Sequence, residues 1–271
     1  MKGLNIFKAS LVTMALLLAF NVQSQTKRGD FNMDGKVNIS DVTTLANYLL
    51  TDNLGELPAD ARDTITVLGV PFVMVRVDGG TYRRGIYQDG YTVETFWIGQ
   101  TEVTTQLWET VMGYNPSILR YGDNCPVDHC SYYECEAFID SLNALTGLTF
   151  RMPTEREWEY AALGGNRTLG YKFAGSNNLD EVAWYQANVG DNMFHGYEVA
   201  TLKPNELGLY DMCGNVAEWC RLDNDSELMA RWRGGGKTSP IQDCYPLNYL
   251  RRAKDVKEYH VGMRLALSAT E

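Results

Sequence analysis

From Val67 onward no apolar run in this chain is long, and each is cut within a few residues by Gly, Asn or Asp. A chain punctuated in this way lacks the periodicity of a helical bundle or a regular sheet. It must build its core from short elements joined by long ordered loops, and such loops need fasteners: metal ions, disulfides or buried tryptophans. The material for a core is present, because 45% of the 271 residues are apolar, 11% are aromatic and six are Trp. That composition excludes global disorder. Six Cys are too few for a disulfide-dense scaffold of this length, so packing carries most of the stability. The formal net charge of −10 argues against a nucleic-acid partner, which requires a cationic face.

Local signals place several elements. Residues 72–77 read as a strand followed by a turn at Asp78-Gly79-Gly80, and residues 91–98 read as a second strand. Ser131-x-x-Glu134 is a capping box ahead of Tyr132, Cys135, Phe138, Ile139, Leu142 and Leu145 on one helical face, with Gly147 as the stop. Thr154-x-x-Glu157 opens another helix with Trp158, Ala161 and Ala162, and residues 104–112 form a third.

The N-terminus predicts export. Lys2 and Lys8 precede an apolar run from Ala9 to Phe20, and Val22-Gln23-Ser24 suits signal-peptidase cleavage after Ser24. The run is shorter than the ~20 residues that span a bilayer, and no later stretch is long enough, so the mature chain is expected to hold no membrane span. Loss of residues 1–24 removes two Lys and no acid, which takes the net charge from −10 to −12. The expected location is periplasmic or extracellular, where cysteines can oxidise to disulfides.

Residues 30–41 carry oxygen side chains at loop positions 1, 3, 5, 9 and 12 (Asp30, Asn32, Asp34, Asn38 and Asp41), with Gly35 at the sharp turn and Lys36 offering its backbone carbonyl. This alternation aims hard oxygen donors at one point and predicts a calcium loop of EF-hand type. Val42, Leu45, Ala46 and Leu49 then recur at helical spacing. The stretch GDFNMDGKVNISDVTTLANYLL (29–50) resembles one half of a type I dockerin; a second repeat is absent from the sequence. The polar segment TDNLGELPADARDTIT (51–66) marks a linker. The expected organisation is a signal peptide at 1–24, a dockerin-like calcium module at 25–52, a linker at 53–69 and a main domain at 70–267.

Five ordered motifs in the main domain resemble the formylglycine-generating enzyme, or sulfatase-modifying factor, family: FWIGQTEVTTQLWETVMGYNPS (96–117), LTFRMPTEREWEYAALGG (148–165), KPNELGLYDMCGNVAEWC (203–220), RWRGGG (231–236) and VGMRLAL (261–267). The resemblance implies an α+β fold, the family's variant of the C-type-lectin fold, with little regular secondary structure, two main helices and short strands. It also implies a structural calcium held by the Asp211 and Glu218 side chains and the Gly214 and Val216 carbonyls. The three His (His129, His195 and His260) are scattered and form no zinc or iron set.

The cysteines carry the functional question. The resemblance implies an oxidase that converts a sulfatase Cys to formylglycine with O₂ and Cu(I), the copper gripped by two thiolates five residues apart. Cu(I) is soft and favours such a pair over a hydroxyl. Here Cys244 stands at one position and Ser239 at the other. Cys244 itself has three readings: a disulfide with Cys135, a free buried thiol, or a catalytic thiol. Cys125 with Cys130 and Cys213 with Cys220 are further pairs the sequence permits. Three functions follow: an exported non-enzymatic module that is structural or binds carbohydrate or protein; a copper-dependent formylglycine-generating oxidase acting on exported sulfatases; and an oxidoreductase using Cys244 alone. Tyr245, Tyr249 and Trp232 are candidates to line a sugar or peptide groove.

Overall fold

A computed structural model describes residues 61–82, 90–118, 122–190, 197–222 and 228–269. The residues expected to form the calcium loop (Asp30, Asn32, Asp34, Lys36, Asn38 and Asp41), the expected leader at 1–24 and His195 lie outside the described residues.

The largest sheet among the described residues is antiparallel and has five strands. Its strands are β1 (Arg62–Val67), β2 (Val70–Val77), β5 (Phe96–Gly99), β6 (Phe150–Arg151) and β11 (Ala266–Ser268). A two-stranded ribbon pairs β3 (Gly80–Tyr82) with β4 (Tyr91–Val93). A second sheet runs β10-β7-β8-β9, from β7 (Ala217–Cys220), β8 (Met229–Arg233), β9 (Tyr249–Ala253) and β10 (Val261–Gly262). Regular sheet is therefore more extensive than the two strands, 72–77 and 91–98, that the punctuated sequence predicts. The reason is length: β6 and β10 have two residues each, too few for any period to register. They are held by long-range pairing, Ala266 opposite Arg151 and Val261 opposite Ala217. The predicted strand at 91–98 is two strands, β4 and β5, belonging to different sheets. The segment assigned to the linker contains β1, which pairs along its whole length with β2 and so belongs to the main sheet.

Three helices form where the signals place them. In α1 (Thr105–Met112), the Thr104 side chain accepts from Leu107 N, and Gly113 ends the helix in the left-handed conformation at φ 76°. In α2 (Tyr132–Thr146), Ser131 and Glu134 satisfy each other's backbone donors in a complete capping box, and Gly147 at φ 70° is the stop. Thr154 and Glu157 do the same for α3 (Glu155–Ala162). Thr154→Ala is expected to cost about 1 kcal/mol in a denaturant titration, because it strands helix-terminal N–H groups. A cost near zero would mean that α3 is held by its packing alone.

Two apolar cores lie on the sheets. One joins α1 and α2 to Trp219, Trp232 and Met263; within it the Trp108 and Phe138 rings stack at 4.8 Å. The other gathers Trp158 and Tyr160 of α3, the β2 and β5 residues Val75 and Ile98, and Cys213, Cys220 and Cys244. Trp108, Trp158 and Trp219 are fully buried and serve as fasteners of the loop-rich fold.

Candidate functional site

The segment 209–218 connects the cores through a run of special backbone. Asp211 and Asn215 adopt φ values of 57° and 55°, and Gly214 adopts 77°. A Cβ on Gly214 would sit 2.3 Å from the Trp184 carbonyl, so only glycine fits there. The loop is pinned on several sides, with Gly214 N donating to Gly234 O, Asn215 N to Trp184 O and Lys237 N to Asn215 O.

This loop brings charge into the protein interior. Glu102, Asp211, Glu218 and Arg264 are all buried. Arg264 Nη2 approaches Glu218 Oε1 at 2.7 Å and its Nε approaches Oε2 at 3.0 Å. The same guanidinium donates to the carbonyls of Gly99 and Tyr210. Glu218 Oε2 also accepts from Trp158 Nε1 at 2.6 Å. Glu102 Oε1 accepts from Val216 N, and its Oε2 accepts from Asn215 Nδ2. Asp211 Oδ2 accepts from Ala200 N at 2.7 Å.

Three carboxylates thus face one guanidinium. Burial, and then the charges of Asp211 and Glu218, push the Glu102 carboxyl well above the usual range. Burial pushes the Asp211 carboxyl up to about 6. Two buried oxygens, Asp211 Oδ1 and Asn215 Oδ1, have no hydrogen-bond partner. A buried orphaned carboxylate oxygen is costly, and a hard cation satisfies it. Among the described residues no three His, Cys, Asp or Glu side chains converge as a ligand set. Of the four residues assigned to calcium from sequence, Asp211 keeps a free oxygen, Gly214 and Val216 lie on the same turn, and the Glu218 carboxylate is engaged by Arg264 and Trp158. Glu102 and Asn215 complete the cluster and were not singled out from sequence. The only hint of Glu102 is an acid three residues after the apolar strand β5.

The second candidate is the Cys244 segment. Ser239 Oγ accepts from Gly236 N at 2.9 Å and closes a tight turn. Ser239 N donates to Gly236 O, and Ser239 O accepts from Gln186 N. Cys244 ends a short 3-10 turn, Ile241–Cys244, and is fully buried. Its thiol donates to the Pro240 carbonyl at 3.8 Å. Burial, with Cys213 nearby, pushes this thiol far above its ordinary value of 9.0. The pairing of Cys244 with Cys135 does not occur, because the two residues pack in different cores. Cys135 instead lies against Cys130, sulfur to sulfur at 3.5 Å. All six cysteines are buried free thiols, so neither Cys125–Cys130 nor Cys213–Cys220 is joined.

The aromatic candidates separate. Trp232 is buried, Tyr245 is half-buried against Phe173 at 4.9 Å, and Tyr249 is exposed. Arg231 lies 3.9 Å over the Tyr249 ring, and Arg252 lies 5.2 Å over the Trp232 ring. His129 and His260 are partly buried, each with an unpartnered Nδ1.

Comparison with known proteins gives the family. Residues 56–269 match the family described as Sulfatase-modifying factor enzyme 1-like domain, and residues 15–64 match the Dockerin type I domain. The chain is 32% identical over 197 residues to the chaperone protein LppX of Paenibacillus barcinonensis, covering 54% of this chain and 70% of LppX. It is 35% identical over 101 residues to the inactive C-alpha-formylglycine-generating enzyme 2 of Bos taurus (35% of this chain, 32% of the relative). It is 34% identical over 125 residues to the formylglycine-generating enzyme of Mus musculus (41% and 31%). The chain therefore spans about a third of each of these two mammalian relatives. Among solved structures, the Treponema denticola variable protein 1 superposes with a TM-score of 0.68 at 28% identity, covering 79% of this chain and all of that one. The punctuated core, the five ordered motifs and the match over residues 56–269 converge: this chain belongs to the sulfatase-modifying factor enzyme 1-like domain family.

Proposed function

We propose that this chain is an exported, non-enzymatic member of its family, a structural or ligand-binding module for extracellular carbohydrate or protein. One observation carries the reading. At the two positions where copper chemistry asks for a pair of thiolates, Ser239 spends its oxygen on closing the Gly236 turn, and Cys244 is a buried thiol whose ionisation burial opposes. With a hydroxyl in place of one thiolate, Cys244 is left as a lone sulfur donor, which is a poor clamp for a soft cation. The match to an inactive relative agrees with this reading, and so does the N-terminal dockerin-like segment, because dockerins are typical of extracellular proteins. Among the described residues no helix is long and apolar enough to cross a membrane.

Calcium has a structural role in this proposal. It binds the N-terminal loop through Asp30, Asn32, Asp34, Lys36, Asn38 and Asp41. In the main domain the assigned residues are Asp211, Gly214, Val216 and Glu218, of which Asp211 supplies the hard donor through its orphaned oxygen, while both Glu218 oxygens are engaged by Arg264 and Trp158. Its chemistry is neutralisation and cross-linking of a loop.

The alternative reading is a formylglycine-generating oxidase acting on exported sulfatases, supported by the match to the mouse enzyme. The test is copper-dependent O₂ consumption with a peptide containing Cys-x-Pro-x-Arg. No consumption above the copper-only control is expected. Turnover that is lost in Cys244→Ser would replace the binding-module reading with the oxidase.

A further inference from the structure

In many helices the residue before the N-cap packs on the fourth helical residue, an apolar contact that fixes the angle at which the chain enters. For α2 the N-cap is Ser131, so these two positions are Cys130 and Cys135. Their sulfurs lie 3.5 Å apart, with the Cys135 thiol donating to Cys130. The Cys130 thiol in turn donates to the Val261 carbonyl at 3.8 Å. The complete capping box of Ser131 and Glu134 lies between the two cysteines and holds the backbone of both in register. The remaining thiols whose sulfur contacts are resolved turn to backbone atoms. Cys213 accepts from Ala174 N, Cys220 donates to Glu218 O and Cys244 donates to Pro240 O.

We propose that Cys130 and Cys135 are this chain's disulfide-forming pair, so that oxidation converts the apolar staple at the start of α2 into a covalent one. The sulfurs need to close by about 1.5 Å to reach the bonded separation of about 2.05 Å, a movement within reach of side-chain rotation. In the exchange, a thiolate of one cysteine attacks a low-molecular-weight disulfide such as oxidised glutathione and releases one glutathione thiol. The second cysteine then displaces the other glutathione. The protein loses two hydrogens and two electrons, and one disulfide becomes two thiols. In the folded chain both sulfurs are buried, and burial with the adjacent Cys130 holds the Cys135 thiol far above its usual value. The exchange therefore belongs to folding, before α2 docks on its core, and the finished bond is shielded from reductant. This inference is independent of whether the protein is an enzyme.

The test uses the full chain refolded in oxidised glutathione or in reductant, then alkylated after denaturation and digested. Trypsin releases residues 121–151, which contain Cys125, Cys130 and Cys135. The oxidised preparation is expected to give this peptide with Cys125 alkylated and two hydrogens missing. Its halves should remain joined after cleavage at Glu134, and the Cys125 end should be freed by cleavage at Asp128. Alkylation of both Cys130 and Cys135 overturns the proposal, and so does a bridge that includes Cys125. As a second readout, the oxidised wild type should melt about 5 °C above the reduced wild type, while a Cys130→Ala, Cys135→Ala double variant should melt equally in both preparations. Equal melting of the two wild-type preparations also overturns it.

Discussion

Replacing Arg264 by methionine is expected to destabilise the domain by about 3–5 kcal/mol, a large share of the roughly 5–15 kcal/mol that holds a typical domain folded. The guanidinium is buried between strands and the 209–218 loop, and it holds Glu218 through both carboxylate oxygens. Its removal strands the Glu218 charge in the interior beside Glu102 and Asp211, and it frees the carbonyls of Gly99 and Tyr210 as well. Burial is the largest single influence on Arg264 and opposes its ionisation, but the charge and hydrogen bonds of Glu218, with the charges of Glu102 and Asp211, together hold its pKa above the ordinary value. Denaturation midpoints of Arg264→Met, Glu218→Gln and the double variant form the check. The double variant should recover part of the loss, since neither charge is then left alone. A single-variant loss below about 1 kcal/mol would refute the view that this pair anchors the fold.

The second large effect is a pH dependence that calcium reverses. The Asp211 carboxyl rises from 3.8 in the unfolded chain to about 6 in the fold, because burial disfavours its charge. The folded state therefore binds a proton that the unfolded state gives up. In chelator-treated protein the stability from this group is fully present below pH 3.8 and is lost as pH rises through about 6. The loss approaches 3 kcal/mol at neutral pH, at about 1.36 kcal/mol per pKa unit. Burial raises other carboxyls too, Glu102 among them, so the measurement is the difference between wild type and Asp211→Asn, which holds no such proton. The variant should be the more stable of the two at pH 7 without metal. Added calcium at pH 7 should stabilise wild type far more than the variant, since the cation needs the charged form. Parallel pH profiles for the two proteins, with equal calcium response, would remove Asp211 from any role as a charged donor.

Both effects depend on contacts that local sequence signals do not contain. The helices were legible, because capping is a contact between neighbours: Ser131 with Glu134, Thr154 with Glu157, and Gly113 and Gly147 as left-handed stops. The core strand β2 was legible for the same reason, as eight residues of mostly apolar, β-branched chain. Strands β6, β10 and β11 were not, because two or three residues carry no period. Their existence depends on partners such as Gly262 beside Glu218 and Ser268 beside Phe96, more than forty residues away. The cysteines show the same division. Their number and the Ser239 replacement are plain in the chain, but Cys135 could not be assigned to Cys130 rather than Cys244 until each was placed in its core.

By itself the sequence settled the family, through five motifs in fixed order, and it settled where the helices begin and end, because those depend on residues a few positions apart. Only the tertiary structure decided that Glu102, Asp211, Glu218 and Arg264 share one buried site, and that Cys244 is a shielded thiol. Charge balance and solvent exclusion belong to groups gathered from distant strands, and their energies exist only once the chain has folded around them.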